Sequence, residues 1–544
     1  MRHLIWTFFL AVLLLASHLG ACADPELVAD EISTEATRSS QSATGRPLPL
    51  ASHWTTGKHP LSNGWAPIQQ VQLIEQGHFL LPWFEHPDNE NDPFGRDYMV
   101  FRAYFQRAIE RARDLKLPLV LVASQWERFL SDEPYLSLPP NKNPNVVTPE
   151  GKVLRMVSPF GPLDPWREVG RRLTDNRRMK TLQMWYPDPP LIVFLSNNEH
   201  EKLVWKDVEK SARYLKAYGP GRDDNFKRKV VAEGWIVHYR ALQSGMRDGL
   251  SEPWKSRAIF VGYDAFGPPH FGRWGGWTEY SLYVPNRIDP SPLMWDGGSP
   301  SFYTHDWSAS TDYKVFSPQI EAMNWVFMQH EAYVLNPEFW LELSVWDGHE
   351  PGSSDKRGLY AKLGQTYTPE RYAGMVQFGM WLIRPRVVRE FRGWLHPWEE
   401  GRPYFMALVE AVDRVHTNPI LREWWRIGEL VPNRAHRHPY QTSIPLEYVD
   451  KDRWFLLDAN VNPRFPWDLV TEIPVFALAL VKGSPPAREW LVYAHSPLGD
   501  RKNVRLTVPN YSVITVDVAV AGSFFVVKEK TRTVEQVTAV PAPN

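Results

Sequence analysis

Two glutamates stand where a carboxylate is costly unless it works. Glu199 follows the apolar run Leu191–Leu195, in the segment Ser196-Asn197-Asn198-Glu199-His200. Glu342 interrupts a second apolar run, Phe339–Val345 (FWLELSV). Alternate side chains of a strand point to opposite faces, so Trp340, Glu342 and Ser344 share one face and Leu341, Leu343 and Val345 the other. A carboxylate in such a run needs a partner or a function to offset its burial. It is either paired with an interior arginine or chemically employed. Two carboxylates are what glycoside hydrolysis requires, one donating a proton to the leaving oxygen and one attacking the anomeric carbon.

Positioning the pair falls to an alternation of strand-like runs and helical periods. The runs are His78–Glu85, Leu119–Ala123, Val153–Val157, Leu191–Leu195, Ala258–Tyr263, Leu293–Trp295, Phe339–Val345 and Met375–Ile383. Helical signals lie between them. Phe101, Tyr104, Phe105, Ala108, Ile109, Ala112 and Leu115 recur at spacings of three and four, and Asp164-Pro165 and Ser317-Pro318 open helices. A long helix is expected over about Asn225–Met246, and Val387–Trp394 also reads as helical. Eight runs alternating with helices imply an α/β fold, a (β/α)8 TIM barrel with a parallel sheet. A doubly wound open sheet is the alternative, but no Gly-rich phosphate loop follows the first run. Beyond about residue 430 short strand-like runs without helices predict a C-terminal β-sandwich domain. The expected organisation is 1–22 export signal, 23–50 linker, 51–400 barrel, 401–430 helical connection, 431–530 sandwich and 531–544 tail.

The Asn-Glu pair ending the fourth run, with a second Glu on the seventh, resembles the pattern of the clan A glycoside hydrolases over roughly residues 78–395. The resemblance implies a retaining double displacement in which Asn198 binds the sugar 2-hydroxyl, Glu199 is the acid/base and Glu342 the nucleophile. Asn197 and His200, flanking the pair, share the ambiguity of which Asn acts. Trp381, on the eighth run, would correspond to the clan's aromatic floor beneath the sugar.

Other residues near strand ends are candidates for substrate contact: Trp340, Tyr303, His86 and Trp126, and with less reason Gln125, Tyr263 and His305. Glu85, Asp264, Asp296 and Asp347 are the carboxylates to which the site would move if Glu342 were not the nucleophile. Phe271–Trp277 (FGRWGGW) reads as an aromatic loop. No cofactor or metal is implied. The first run ends Phe84-Glu85-His86, without the His-x-His pair that opens a metallohydrolase site on such a barrel, and Gly297-Gly298-Ser299-Pro300-Ser301 lacks the last glycine of a serine-hydrolase elbow. A non-catalytic carbohydrate-binding lipoprotein on the same scaffold is the rival. It would keep the aromatic residues and have no use for Glu342.

Composition agrees with a carbohydrate partner and gives no sign of a nucleic-acid one. The chain carries 25 Trp, 21 Tyr and 26 Phe at a net charge of −1, with no basic stripe. At the start, Arg2 and His3 precede an apolar run Leu4–Leu15 too short to span a bilayer, which reads as an export signal. The sole cysteine, Cys22, ends Leu19-Gly20-Ala21-Cys22, a lipobox-like site for lipidation, while Ala21-Cys22-Ala23 equally fits cleavage before Asp24. The protein is thus expected in the bacterial envelope or secreted, touching a membrane only through a lipid anchor. Residues 24 to about 50 have linker composition.

Overall fold

A computed structural model describes residues 50–52, 84–85, 106, 109–110, 112–114, 116, 118–124, 126–197, 202–263, 290–305, 318–349, 357–362, 364–390, 398–431, 456–458 and 475–538. In chain order the first strands are β1 (Leu50–Ser52), β2 (Phe84–Glu85), β3 (Leu119–Ser124), β4 (Asn145–Val147), β5 (Val153–Val157), β6 (Ile192–Asn197), β7 (Ala258–Tyr263), β8 (Gly297–Ser299), β9 (Ser301–Tyr303), β10 (Trp340–Trp346) and β11 (Val387–Glu390). All but β4 and β5 join one parallel sheet in the order β1-β11-β10-β8-β7-β6-β3-β2, with β9 also on β10. Strands β8 and β9 are one strand interrupted at Pro300. Counted so, the described residues hold eight parallel strands, with the first beside the eighth and the second at the opposite edge.

Near-continuous apolar sequence explains these strands, since parallel strands are covered on both sides. One face packs under helices. Phe260 lies beneath the Arg247 guanidinium of the Asp224–Asp248 helix, and Leu343 and Phe302 approach Gly379 of the Pro369–Ile383 helix. The Asp224–Asp248 helix begins where Asp223 accepts from Phe226 N at 2.9 Å, and crosses the Asp164–Thr174 helix at Gly170 and Gly245. A Cβ at either glycine would overlap the facing helix backbone, so the crossing exists only because both positions are bare.

Several expectations are corrected. Val153–Val157 pairs antiparallel with β4 in a separate hairpin and is no strand of the parallel sheet. Its place is taken by β1, which lies at the expected boundary of linker and barrel. Leu293 lies in a helical turn, Ser291–Met294, and the sixth strand begins at Gly297. The eighth run is a helix, Pro369–Ile383, and the eighth strand is β11, within the stretch read as helical. The two errors before β6 cancel, so Leu191–Leu195 still belongs to the fourth strand and Phe339–Val345 to the seventh.

The C-terminal region is antiparallel β. Strands β12 (Glu429–Leu430), β13 (Leu456–Leu457), β14 (Phe476–Lys482), β15 (Glu489–His495), β16 (Arg501–Thr507), β17 (Val513–Val518), β18 (Ser523–Lys528) and β19 (Thr533–Gln536) form a six-stranded and a two-stranded sheet. β19 corrects the expectation of a tail from 531. Trp490, Val492, Phe525 and Val527 of the larger sheet share an apolar cluster with Val504, Leu506, Val516 and Val518 of the smaller. The opposite face of the larger sheet joins the main core through Phe476, Leu478, Leu480, Leu491, Tyr493 and Phe524. There the Tyr493 hydroxyl donates to Gly374 O at 2.6 Å.

Candidate active site

Register places the candidate residues relative to one another. Asn197, the last residue of β6, pairs with Tyr263, the last of β7, and Tyr263 with Ser299. The pairs Trp340–Gly297 and Ser344–Ser301 bracket Ser299 opposite Glu342, which pairs in turn with Val387. One row perpendicular to the strands therefore runs from the end of the fourth strand through Glu342 on the seventh. β10 continues four residues past this row, about 13 Å at the strand rise.

Glu342 lies on the face turned away from the helices and is fully buried. Arg389 of β11, equally buried, donates from Nε to Oε2 at 2.7 Å and from Nη2 to Oε1 at 2.8 Å. The indole Nε1 of Trp340 donates to Oε1 at 3.0 Å, while the Arg386 guanidinium sits 5.6 Å from the Trp340 ring centroid. Arg389 is not among the residues expected from the sequence, since Val387–Trp394 reads as helical. The signal available was two β-branched residues, Val387 and Val388, directly before it. Around this pair the same face carries polar atoms with no hydrogen-bond partner among the described residues, namely Arg389 Nη1, Ser299 Oγ and Ser344 Oγ. Buried groups of this kind are normally satisfied by water or ligand.

Toward the strand ends the face becomes aromatic and hydroxylic. The Tyr263 and Tyr303 hydroxyls lie 2.5 Å apart, and Ser301 Oγ donates to Tyr263 Oη at 2.8 Å. Trp346 stands edge-on to Tyr303 and to His305, each at 5.0 Å between centroids. At Gly348, φ is +86°, and a Cβ there would overlap the His305 ring. Beyond it Asp347 is buried near Arg357, at 3.6 Å, and Arg357 donates to His349 Nδ1 at 2.9 Å while His349 Nε2 bonds Glu400 at 2.7 Å.

Two predicted contacts are corrected. Trp381 lies in the Pro369–Ile383 helix, fully buried against Trp425 and Phe524, where the main core meets the C-terminal sheet. It is a packing residue. Trp126, in the helical turn Trp126–Ser131 after β3, is likewise fully buried, against Phe260 and Trp295 beneath the helices. Asp296, a fallback carboxylate, anchors the helix layer. It binds Arg240 at 2.7 Å, Arg247 at 2.9 Å and Phe260 N at 3.0 Å. Burial raises its pKa, but the two guanidinium groups outweigh that and hold it below the usual carboxylate range. Glu199, Asn198, His200, His86, Gln125, Asp264, Phe271–Trp277 and Cys22 lie outside the described residues, as do the side chains of Asn197 and Glu85. Among the described residues no group of three or more His, Cys, Asp or Glu side chains could hold a metal ion.

No protein-family model matches the chain, and no curated protein does. Among solved structures it is similar to an endo-β-mannanase/endo-β-glucanase from Prevotella bryantii, at 8% identity and TM-score 0.34, over 67% of this chain and 48% of that one. This chain thus matches about half the length of that protein. An endo-β-1,4-mannanase from Cellulomonas fimi matches at 13% identity and TM-score 0.32, over 92% and 100% of the two chains. The GH51 arabinofuranosidase from Xanthomonas axonopodis pv. citri matches at 10% identity and TM-score 0.27, over 96% and 94%. Likeness at this level assigns neither reaction nor substrate to the chain.

Proposed function

We propose that this chain is an exported, retaining glycoside hydrolase acting on a polysaccharide or oligosaccharide, with Glu342 as nucleophile, Glu199 as acid/base and Asn198 binding the sugar. In this reading a pairing of β1 with β2 closes the parallel sheet into a (β/α)8 barrel, the face opposite the packed helices becomes its interior, and the C-terminal sheets form a sandwich. The observation that carries it is the placement of Glu342. It lies on the seventh parallel strand, on the face opposite the packed helices, on the register row that ends the fourth strand, from which Asn198 and Glu199 follow directly in sequence. Arg389 supplies the cation that an attacking carboxylate needs beside it. Glu342 attacks the anomeric carbon as Glu199 gives its proton to the leaving oxygen. Glu199 then takes a proton from the water that releases the sugar. Retention requires the carboxyls about 5–5.5 Å apart. Export through Arg2–Leu15, with lipidation at Cys22 or cleavage before Asp24, belongs to the same proposal.

A second reading is favoured by one observation: both Glu342 oxygens are already engaged by Arg389 and Trp340, with no exposure. On that reading Glu342 is the structural counter-ion of Arg389, and the nucleophile is another strand-end carboxylate such as Glu85, Asp264 or Asp347. The test is a polysaccharide panel with reducing-end detection, together with aryl glycosides. Glu342→Ala should abolish turnover, with azide or formate restoring it. Glu199→Ala should slow natural substrates far more than activated aryl glycosides, which need little protonation. Full activity in either variant rejects the assigned roles.

A further inference from the structure

Arg371 stands in the first turn of the Pro369–Ile383 helix, at the seam with the C-terminal sheets, and is 7% exposed. Its backbone N–H donates to the capping Thr368 hydroxyl at 3.3 Å. Its guanidinium lies 5.4 Å from the Tyr360 ring centroid, and Nη2 donates to Gln365 Oε1 at 2.6 Å and to Leu498 O at 3.2 Å. All of these partners are neutral, and no acidic side chain among the described residues pairs with it. Glu370, beside it in the helix, is exposed. Asp500, two residues past Leu498, accepts instead from Val520 N at 2.9 Å. Nη1 has no hydrogen-bond partner among the described residues.

A second buried donor lies alongside. The chain of β15 and the turn after it runs along this helix toward its N-terminus. The Tyr493 hydroxyl meets Gly374 O, a Cβ at Gly374 would lie 3.2 Å from His495 Nδ1, and Leu498 O meets Arg371. Ser496 falls between these contacts, is fully buried, and its Oγ has no hydrogen-bond partner among the described residues. Burial holds the Arg371 pKa below its ordinary value, yet a guanidinium stays charged in a protein. An unpaired buried charge is costly, and the partial positive charge of a helix N-terminus adds to the cost. A water molecule would satisfy the N–H groups and leave the charge uncompensated. We infer that Arg371 Nη1 and Ser496 Oγ form a binding site for a small inorganic anion, singly charged and of halide size, which fastens the Pro369–Ile383 helix to the turn after β15. One guanidinium sets the charge, and the burial of both residues limits the size. The site is independent of the catalytic reading.

Bromide tests it in the full-length protein, starting from halide-free buffer. Crystals soaked in sodium bromide should show an anomalous peak in contact with Arg371 Nη1 and Ser496 Oγ, and Arg371→Met crystals should lack it. An ordered water at that position in wild type overturns the site. In solution, sodium bromide is compared with sodium methanesulfonate, a bulkier anion, at equal ionic strength. The wild-type melting temperature should rise by about 1–2 °C for each tenfold increase in bromide above the dissociation constant. Arg371→Met should show no such rise, and Ser496→Ala should need at least about fivefold more bromide for the same rise. If Arg371→Met does not fold, the Ser496→Ala comparison decides. A wild-type melt indifferent to bromide, or a response that both variants share in full, overturns the proposal.

Discussion

Glu342→Gln is the obvious test of the nucleophile, and on its own it misleads. The substitution leaves Arg389 buried with no counter-ion, and breaking a buried pair by removing one partner costs about 3–5 kcal/mol. Set against a typical total of about 5–15 kcal/mol, loss of activity could then report loss of fold. Arg389→Met should cost a similar amount by stranding Glu342. Replacing both, as E342L/R389M, removes two buried charges together. Such replacements range from neutral to stabilising by about 1–4 kcal/mol. Against this stands the Trp340 indole, which loses the acceptor it now has at 3.0 Å, worth about 1–3 kcal/mol. The double variant should therefore melt close to wild type, well above either single variant. Calorimetry measures that recovery, and aryl-glycoside turnover is measured on the same samples. A nucleophile predicts restored stability with turnover still absent. A structural counter-ion predicts restored stability with turnover within about tenfold of wild type. A double variant no more stable than the singles refutes the ion-pair reasoning itself.

Further outcomes follow from other sites. Burial lowers the His495 pKa to about 3, so the folded protein holds it neutral while the unfolded chain protonates near 6.5. Its stabilising effect is complete above pH 6.5 and lost as pH falls below it, by about 1.4 kcal/mol per unit, and thermal melts of His495→Gln should be flatter between pH 6.5 and 4.5 than those of wild type. Asp296→Asn should lower stability by about 1–3 kcal/mol, by weakening the hold on the half-buried Arg240 and Arg247, while kcat of the folded fraction holds. A fall in kcat without a fall in melting temperature would return Asp296 to the site. Gly348→Ala should destabilise by at least about 2 kcal/mol, from positive φ and overlap with His305, and an unchanged melt would show that this backbone is free to move.

The parallel strands were legible wherever apolar β-branched runs were bounded by turns, as in Leu119–Ser124, Ile192–Asn197 and Ala258–Tyr263. They were illegible where burial erases periodicity. The Pro369–Ile383 helix is wrapped by the parallel sheet on one side and β14 and β15 on the other, and every residue from Arg371 to Ile383 is buried. A helix apolar all round reads like a strand, which is why Trp381 resembles a strand residue in sequence and is a helix residue in the fold. Val153–Val157 carries an ordinary strand pattern, and whether its partner runs parallel or antiparallel is set by a hairpin that the run itself does not encode. β1 is three residues, Leu-Ala-Ser, too short to announce itself. At the site, Glu342 betrayed itself by polarity within an apolar strand. Arg389 is unexceptional in sequence, and only the fold brings it to its partner.

The C-terminal sheet has apolar residues on both faces, one turned to its own smaller sheet and the other to the Pro369–Ile383 helix. A unit built this way is no detachable accessory. Released from its neighbour it would expose Phe476, Leu478, Leu480, Leu491 and Phe524 to water, a patch that invites self-association. Lineages that shuffle their appended β units could therefore not exchange this one freely. Any recombination would have to carry the helix and sheet across together, and the seam marked by Trp381, Tyr493 and His495 would be inherited as a single piece.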